Sequence, residues 1–227
     1  MPRRIGNAIA FMVFDFCEVL NRFLLCKINK ICSRHKRLCI FVPMKYIQHY
    51  HTPQGFDDLV MSSDGQSLTG LWFEGSRDED KHLLDSVSSP ESTQPAIFSD
   101  VCRWLDIYFS GRQPDFIPAF RMEGLTPFRK LVSELMCEIP FGQTATYGDI
   151  AKRIEVMRQG MSLQQQKMSA QAVGGAVGWN PICIIVPCHR VVGTNGNLTG
   201  YGGGMHNKIA LLRHEGVVIG VFDFFRR

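Results

Sequence analysis

The strongest chemical signal in the chain is Pro187-Cys188-His189-Arg190-Val191, in which a cysteine is fixed by a proline and followed at once by a base and a cation. A thiolate is a strong, soft nucleophile. An ordinary thiol titrates at about 8.5, so it needs a base or a positive setting to ionise at neutral pH. His189 and Arg190 are residues of those types, and the segment reads as an electropositive setting that favours thiolate. A Cys-His pair alone is a weak signal, because most cysteines are packing residues and adjacent side chains usually point apart. Here the pair stands between Asn180-Pro181 and the glycine-rich Gly200-Tyr201-Gly202-Gly203-Gly204, which makes the combination a strong one.

A second feature lies just upstream. Ala170-Gln171-Ala172-Val173-Gly174-Gly175-Ala176-Val177, with Ser169 as its N-cap, reads as a helix almost bare of side chains. Two adjacent glycines cost such a helix about 1 kcal/mol each relative to alanine. Something must approach that backbone closely, either a packed neighbouring helix or a ligand surface.

The surrounding sequence supplies elements to hold these parts. Ile182–Val186 is a short apolar run suited to a buried strand that delivers the chain to Pro187. Upstream, Thr146-Tyr147-Gly148-Asp149 starts a helix through Ile150, Ala151 and Ile154, with Asp in place of the Glu of a capping box. A polar stretch from Arg158 to Lys167 joins it to the bare helix, as in a helix-turn-helix with a long connection. Before that, Thr126 caps a helix with Pro127 at its first position and a stripe of Phe128, Leu131, Val132 and Leu135, stopped by Pro140. From Met44 to Tyr50, around Asp58–Ser62 and over Ser67–Phe73 the chain reads as an antiparallel meander, with Ser63-Asp64-Gly65 as a turn. Gly75–Thr93 is serine-rich and charged and reads as a loop. Ile97, Val101, Trp104, Leu105 and Tyr108 then mark a helix ended by Gly111.

Composition bounds the class. With 45% hydrophobic and 20% charged residues among 227, the chain has the balance of a soluble globular protein. Its 21 glycines and 11 prolines exclude a coiled coil. The net charge of +4 hints at an anionic partner, but residues 1–43 hold eight basic residues against two acidic ones, leaving −2 for the rest. Of the eight cysteines, Cys17, Cys26, Cys32 and Cys39 fall in that first segment and Cys102, Cys137, Cys183 and Cys188 in the remainder; no CxxC pair occurs. This is not a disulfide framework, and a reducing, cytoplasmic compartment is expected. The apolar run Ala8–Phe14 after Arg3 and Arg4 is interrupted by Asp15 and Glu18, too short to span a bilayer and followed by no small-residue cleavage site, so no export signal is read.

Taken together, Ile139-Pro-Phe-Gly142 with Tyr147, Ala172-Val-Gly-Gly-Ala176, Asn180-Pro181, Val186-Pro-Cys-His-Arg-Val-Val192, Gly200-Tyr-Gly-Gly203 and His214-Glu-Gly216 resemble the O6-alkylguanine-DNA alkyltransferases of the bacterial type, the methylated-DNA:protein-cysteine S-methyltransferases. The resemblance covers about Met44 to Gly216. It implies an α+β chain: an N-terminal ribonuclease-H-like antiparallel sheet with a helix over 44–120, and a C-terminal winged-helix-like, helix-turn-helix DNA-binding domain over 121–227 that carries the reactive cysteine. It implies direct-reversal repair of double-stranded DNA, with one irreversible transfer of the alkyl group of O6-alkylguanine to Cys188. His189 would activate the thiol through water and Glu215 would orient the imidazole. Tyr147 would donate toward the base and crowd the adjacent phosphate, and Asn180 would join the bare helix to the active-site strand. Tyr201, Gly202, Gly203 and Val191 would line the pocket with Tyr147. The helix would enter the minor groove by its Ala170, Ala172, Gly174 and Gly175 face, which suits a narrow groove. With little bulk charge, Arg190 and backbone amides would hold phosphates. No cofactor, no metal and no membrane contact is implied, and a monomer is expected.

Two residues depart from the family pattern. Gln171 stands where many members carry an arginine that fills the gap left by the flipped base; it can hydrogen-bond the orphaned partner but brings no charge. Gly202 stands where some members place serine, which argues for a roomier site and leaves bulkier adducts and O4-alkylthymine open. Three other readings fit less well. An alkyltransferase-like lesion binder lacks the cysteine that Cys188 provides. A Cys-His hydrolase or acyl transferase leaves the bare helix and Tyr147 unexplained. A zinc protein using Cys183, Cys188 and His189 with His49 or His51 matches no common spacing, and metal would quench Cys188. Residues 1–43 match nothing in the family. They are either a basic extension that supplements DNA binding or, as preferred here, upstream sequence read from a misplaced start, the functional unit being the 184 residues from Met44.

Overall fold

The structure is a computed structural model that describes residues 45–79, 94–160 and 167–219. The readings made for residues 1–43 lie outside the described residues.

The meander forms as its turn chemistry dictates. β1 (Tyr46–Tyr50), β2 (Leu59–Ser63) and β3 (Leu68–Phe73) pair antiparallel in that order. Between β2 and β3 the Asp64 carboxylate accepts the N–H groups of Gln66 and Ser67 at 2.9 and 2.8 Å, and Gly65 takes φ +97°. One face of the sheet buries Leu59, Met61, Leu71 and Phe73 in a core shared with α1 (Ala96–Phe109), whose stripe Ile97, Val101, Trp104, Leu105 and Tyr108 is buried throughout.

The outer edge of β3 would leave unpaired backbone groups if open. Two later segments close it. Leu68 N–H donates to Ala119 O at 2.9 Å and its carbonyl accepts from Arg121 N at 2.8 Å. Leu71 N–H donates to Pro181 O at 2.9 Å and its carbonyl accepts from Cys183 N at 3.0 Å. The chain leading to Cys188 is thereby fixed to the sheet.

That second attachment is where one expectation fails. Ile182–Val186 is buried as read, but it is not a strand. Only Ile182 bridges to β3; beyond it the chain coils through a turn in which Ile184 adopts φ +65°. Asn180 is the cause. Its side-chain amide donates to Ile182 O and Val186 O at 3.1 and 2.8 Å, and its Oδ1 accepts from Ile182 N at 3.1 Å, replacing the ladder bonds a strand would need. The loop expected over Gly75–Thr93 also differs where it is described: residues 77–79 are helical. The Glu79 carboxylate accepts from Gly75 N and Ser76 Oγ accepts from Glu79 N, so a capping exchange hides inside a charged, serine-rich run. Residues 80–93 lie outside the described set.

The helices follow their caps. α2 (Pro127–Cys137) starts at Thr126, whose hydroxyl accepts from Arg129 N at 3.3 Å. α3 (Tyr147–Gly160) follows the short strand β4 (Ala145–Thr146), with Asp149 acting as the acidic half of the capping box: its carboxylate accepts from Thr146 N at 3.0 Å while Thr146 Oγ1 accepts from Asp149 N at 3.0 Å. α4 (Ala170–Val177) is capped by Ser169, which accepts from Gln171 N and Ala172 N. α3 and α4 pack on one another and α2 packs on α4; the expected polar connection shortens at its start, since α3 continues to Gly160, and residues 161–166 are outside the described set. β4 pairs parallel with β5 (Val191–Val192), just after Cys188. α5 (Met205–His214) closes at Gly216, φ +78°. Among the described residues no helix is long and apolar enough to cross a membrane.

Candidate active site

Cys188 opens a short 3-10 turn, Cys188–Arg190, and is buried. Its backbone is held by Cys188 N–H to Val186 O at 2.8 Å, and Asn180 Nδ2 approaches its Sγ at 3.1 Å. The Asn180 amide therefore shares two protons among three acceptors, so its position and that of the sulfur are set together. Tyr201 OH lies 3.9 Å from Sγ, at the outer limit of a hydrogen bond to sulfur. Burial pushes the Cys188 thiol up from its ordinary value, and the Asn180 and Tyr201 contacts and the Lys208 charge act against it. The setting is thus less favourable to thiolate than the sequence suggested. Burial is the main reason, and Arg190 is directed to Glu215 and Ile139 rather than to the sulfur.

His189 and Arg190 both turn to Glu215. This carboxylate has no exposed side-chain surface, yet five donors converge on it. Oε1 accepts from Tyr108 OH at 2.8 Å, His189 Nε2 at 2.8 Å and Arg190 Nη2 at 2.9 Å. Oε2 accepts from Arg190 Nε at 2.9 Å and Gly142 N at 3.1 Å. Arg190 is bidentate and gives its remaining Nη1 to Ile139 O at 2.7 Å. Burial alone would raise the Glu215 carboxyl, but the bonds and charges of His189 and Arg190 outweigh it and bring it from 4.5 down to about 2.

The same network sets the state of His189. Burial is the largest influence and lowers its pKa below 6.5, Glu215 opposes this, and the Arg190 and Lys208 cations lower it further. The imidazole is neutral at pH 7. An ionised carboxylate on Nε2 requires the proton there, leaving Nδ1 as the acceptor. Nδ1 is buried and has no hydrogen-bond partner among the described residues. A neutral base with its acceptor nitrogen open, directly after a cysteine, is equipped to take a thiol proton.

A small cavity of about 40 Å³ opens over Cys188, with Tyr147, Tyr201, Gly202, Asn180, Lys208 and Asp78 in its wall. Tyr147, the first residue of α3, accepts from Thr199 Oγ1 at 3.2 Å. Gly203 and Val191, expected in this wall, are not among the lining residues. A Cβ on Gly203 would come within 2.7 Å of Phe73, so that glycine serves packing against β3. The Val191 side chain is fully buried, and its carbonyl accepts from Lys208 Nζ at 2.8 Å.

Outside the cavity, the bare face of α4 is open to solvent. Val173, Ala176 and Val177 are buried, whereas Ala170, Gln171, Ala172 and Gly175 are exposed. A Cβ on Gly175 would meet nothing within 4 Å, and one on Gly174 would touch only the Tyr147 ring at 3.7 Å. Among the described residues no neighbouring helix demands a glycine at 174 or 175. Ala170, Gln171 and Gly174 border an open groove of about 360 Å³ with Tyr147, Gly148, Gly193, Thr194 and Thr199.

Arg190, expected to hold phosphate, is turned inward instead: it is 8% exposed, and all three of its guanidinium nitrogens donate to Glu215 or Ile139. Two cavity residues escaped the sequence reading. Lys208 is 1% exposed, and burial brings its ammonium from 10.5 down to about 8, opposed by Cys188. Its spacing to Leu211 and Leu212, on the buried face of α5, was the available signal. Asp78 comes from the segment read as loop, and no periodicity marked it.

Residues 127–217 match the model of the 6-O-methylguanine DNA methyltransferase, DNA binding domain. A methylated-DNA–protein-cysteine methyltransferase of Mycobacterium tuberculosis is 37% identical over 172 residues, 74% of this chain and 92% of its own. One from Methanosarcina mazei is 47% identical over 157 residues, 69% of this chain and 89% of its own. Among solved structures, that of M. tuberculosis OGT in complex with DNA is similar at a TM-score of 0.59 and 34% identity, covering 75% of this chain and 92% of that one.

The buried carboxylate makes stability pH-dependent with a definite sign. Folding holds both His189 and Glu215 below their unfolded values, so the unfolded chain binds more protons and stability falls on acidification. The loss starts below about pH 6.5 with His189 and continues as pH drops through 4.5 toward 2, where the Glu215 contribution, roughly 3 kcal/mol, disappears. Urea midpoints measured against pH should show this decline. Glu215→Gln, which leaves Arg190 buried without its counter-charge, should lose about 3–5 kcal/mol at pH 7 and much of the slope below pH 4.5.

Proposed function

The chain belongs to the methylated-DNA–protein-cysteine methyltransferases, and from that premise we propose that it repairs double-stranded DNA by taking the alkyl group of O6-alkylguanine onto Cys188 in a single turnover. The observation that carries this reading is the placement of Cys188 in the wall of a cavity beside an exposed Ala/Gly helix face, with a neutral His189 bonded to the Glu215 carboxylate behind it.

The chemistry proceeds from these groups. His189 Nδ1 draws the thiol proton through a water, and the imidazolium formed is stabilised by Glu215. Sγ attacks the alkyl carbon; the S–C bond forms as the C–O6 bond breaks, and its electron pair leaves on the guanine. Lys208 favours the thiolate, and Asn180, held by its own backbone bonds, keeps the sulfur in place; it and Glu215 are positioning residues. Tyr147 donates to the departing base and Tyr201 walls the pocket. The thioether formed is not hydrolysed, so the protein is consumed.

Reaching Sγ requires the nucleotide to leave the stack, at a cost of a few kcal/mol. α4 enters the minor groove by Ala170, Gln171, Ala172, Gly174 and Gly175, whose lack of bulk allows it. Phosphates are then met by backbone amides and exposed side chains around α4 rather than by Arg190. On this reading residues 44–120 form the supporting N-terminal domain and 121–227 the DNA-binding one. Cys102, Cys137, Cys183 and Cys188 are all free thiols, in keeping with a reducing cytoplasm.

Incubation with an oligonucleotide duplex carrying O6-methylguanine should add one methyl to the peptide holding Cys188, and none in Cys188→Ala; turnover beyond one equivalent, or no transfer, contradicts the reading. Gln171→Arg should tighten DNA binding and speed repair several-fold, with a steeper salt dependence of binding. Unchanged affinity and rate would show that Gln171 is no handicap.

A further inference from the structure

Gly202 suggested a roomier pocket, but the room is occupied. A Cβ placed on Gly202 would lie 1.7 Å from Asp78 Oδ2 and 2.3 Å from Oδ1. The carboxylate therefore fills the volume that a side chain at 202 would take, and glycine at 202 is what admits it. Asp78 reaches this point from the turn after β3, which the Glu79 and Ser76 capping exchange holds in shape. It lies in the same cavity wall as Cys188, Tyr201 and Lys208. Its charge acts on the sulfur as well, raising the Cys188 thiol by less than Lys208 lowers it.

An alkyl carbon under attack must sit against Sγ, so whatever the carbon carries beyond it shares this cavity with Asp78. A short neutral group fits beside a carboxylate. A bulky one meets it sterically. An anionic one brings like charge up to Asp78 in a partly buried space, where such repulsion is screened far less than in water, and Asp78 there works against the attraction of the Lys208 ammonium in the same wall.

We propose that Asp78, seated against Gly202, is a specificity-determining residue of the alkyl pocket that favours small, uncharged O6 substituents and sets the pocket against anionic ones such as carboxymethyl. The proposal rests on the alkyl-transfer reading and deepens it by naming the adduct class.

Single-turnover rates on duplexes carrying O6-methylguanine and O6-carboxymethylguanine test it directly. The native protein should prefer methyl, and Asp78→Asn, which keeps the shape and removes the charge, should narrow that preference by roughly tenfold or more. Size is tested separately: Asp78→Gly should gain on O6-benzylguanine relative to methyl. Gly202→Ser should impair methyl transfer, and adding Asp78→Gly should restore it, since the two positions compete for one volume. A second measurement needs no DNA. The Cys188 alkylation rates with neutral iodoacetamide and anionic iodoacetate should draw together in Asp78→Asn by a similar factor. Absence of methyl transfer by the native protein would defeat the functional reading alone, because the iodoacetate comparison still reports on Asp78. If the charge preference is the same in Asp78→Asn by both measurements, the proposal is overturned.

Discussion

A carboxylate without water must have its charge answered in place, and the site is organised around that requirement at Glu215. Its five donors come from α1 through Tyr108, from the turn after α2 through Gly142, and from the Cys188 turn through His189 and Arg190. Removing a partner from such a set leaves a buried charge unpaired, at a cost of about 3–5 kcal/mol. The network therefore ties the helix covering the sheet, the turn before β4 and the catalytic turn to one point. Its chemical product is a neutral, oriented imidazole next to the nucleophile. An ordinary ion pair of His and Glu would yield an imidazolium; Arg190 and burial together prevent that, because Arg190 satisfies the carboxylate and burial penalises a second cation.

Cys188 is placed by a different device. The outer edge of β3 captures Pro181 and Cys183, and Asn180 then bends the chain so that sulfur, amide and carbonyls share one hydrogen-bond centre. The sheet contributes to the site in two further ways. Asp57, in the connection between β1 and β2, binds Asn207 Nδ2 at 2.8 Å and so anchors the start of α5, next to Lys208. The turn after β3 sends Asp78 into the cavity. The sheet half of the chain thus shapes a pocket whose reactive sulfur belongs to the other half.

Much of this was legible in the sequence. The caps at Thr126, Thr146 and Ser169 and the stripe of α1 depend on local contacts, and local contacts leave spacing patterns. The Cys-His-Arg segment and the bare helix were equally plain. Direction was not. Arg190 in sequence is a free cation beside a thiol; only its distance in space from Ile139 and Glu215 decides that it points inward. Ile182–Val186 has strand composition, and a single amide two residues upstream turns it into a coil. Gly202 looks like empty space until a residue more than a hundred positions earlier fills it.

The central claim is that the network holds His189 neutral, with its proton on Nε2 and Nδ1 free to accept from Cys188. Nitrogen-15 NMR of the imidazole rings, titrated from pH 8 to pH 5, reads both properties at once. The account predicts a His189 ring with protonated Nε2 and bare Nδ1 at pH 7, staying neutral below the range in which exposed histidines charge. An imidazolium at pH 7, or the proton on Nδ1, would contradict it.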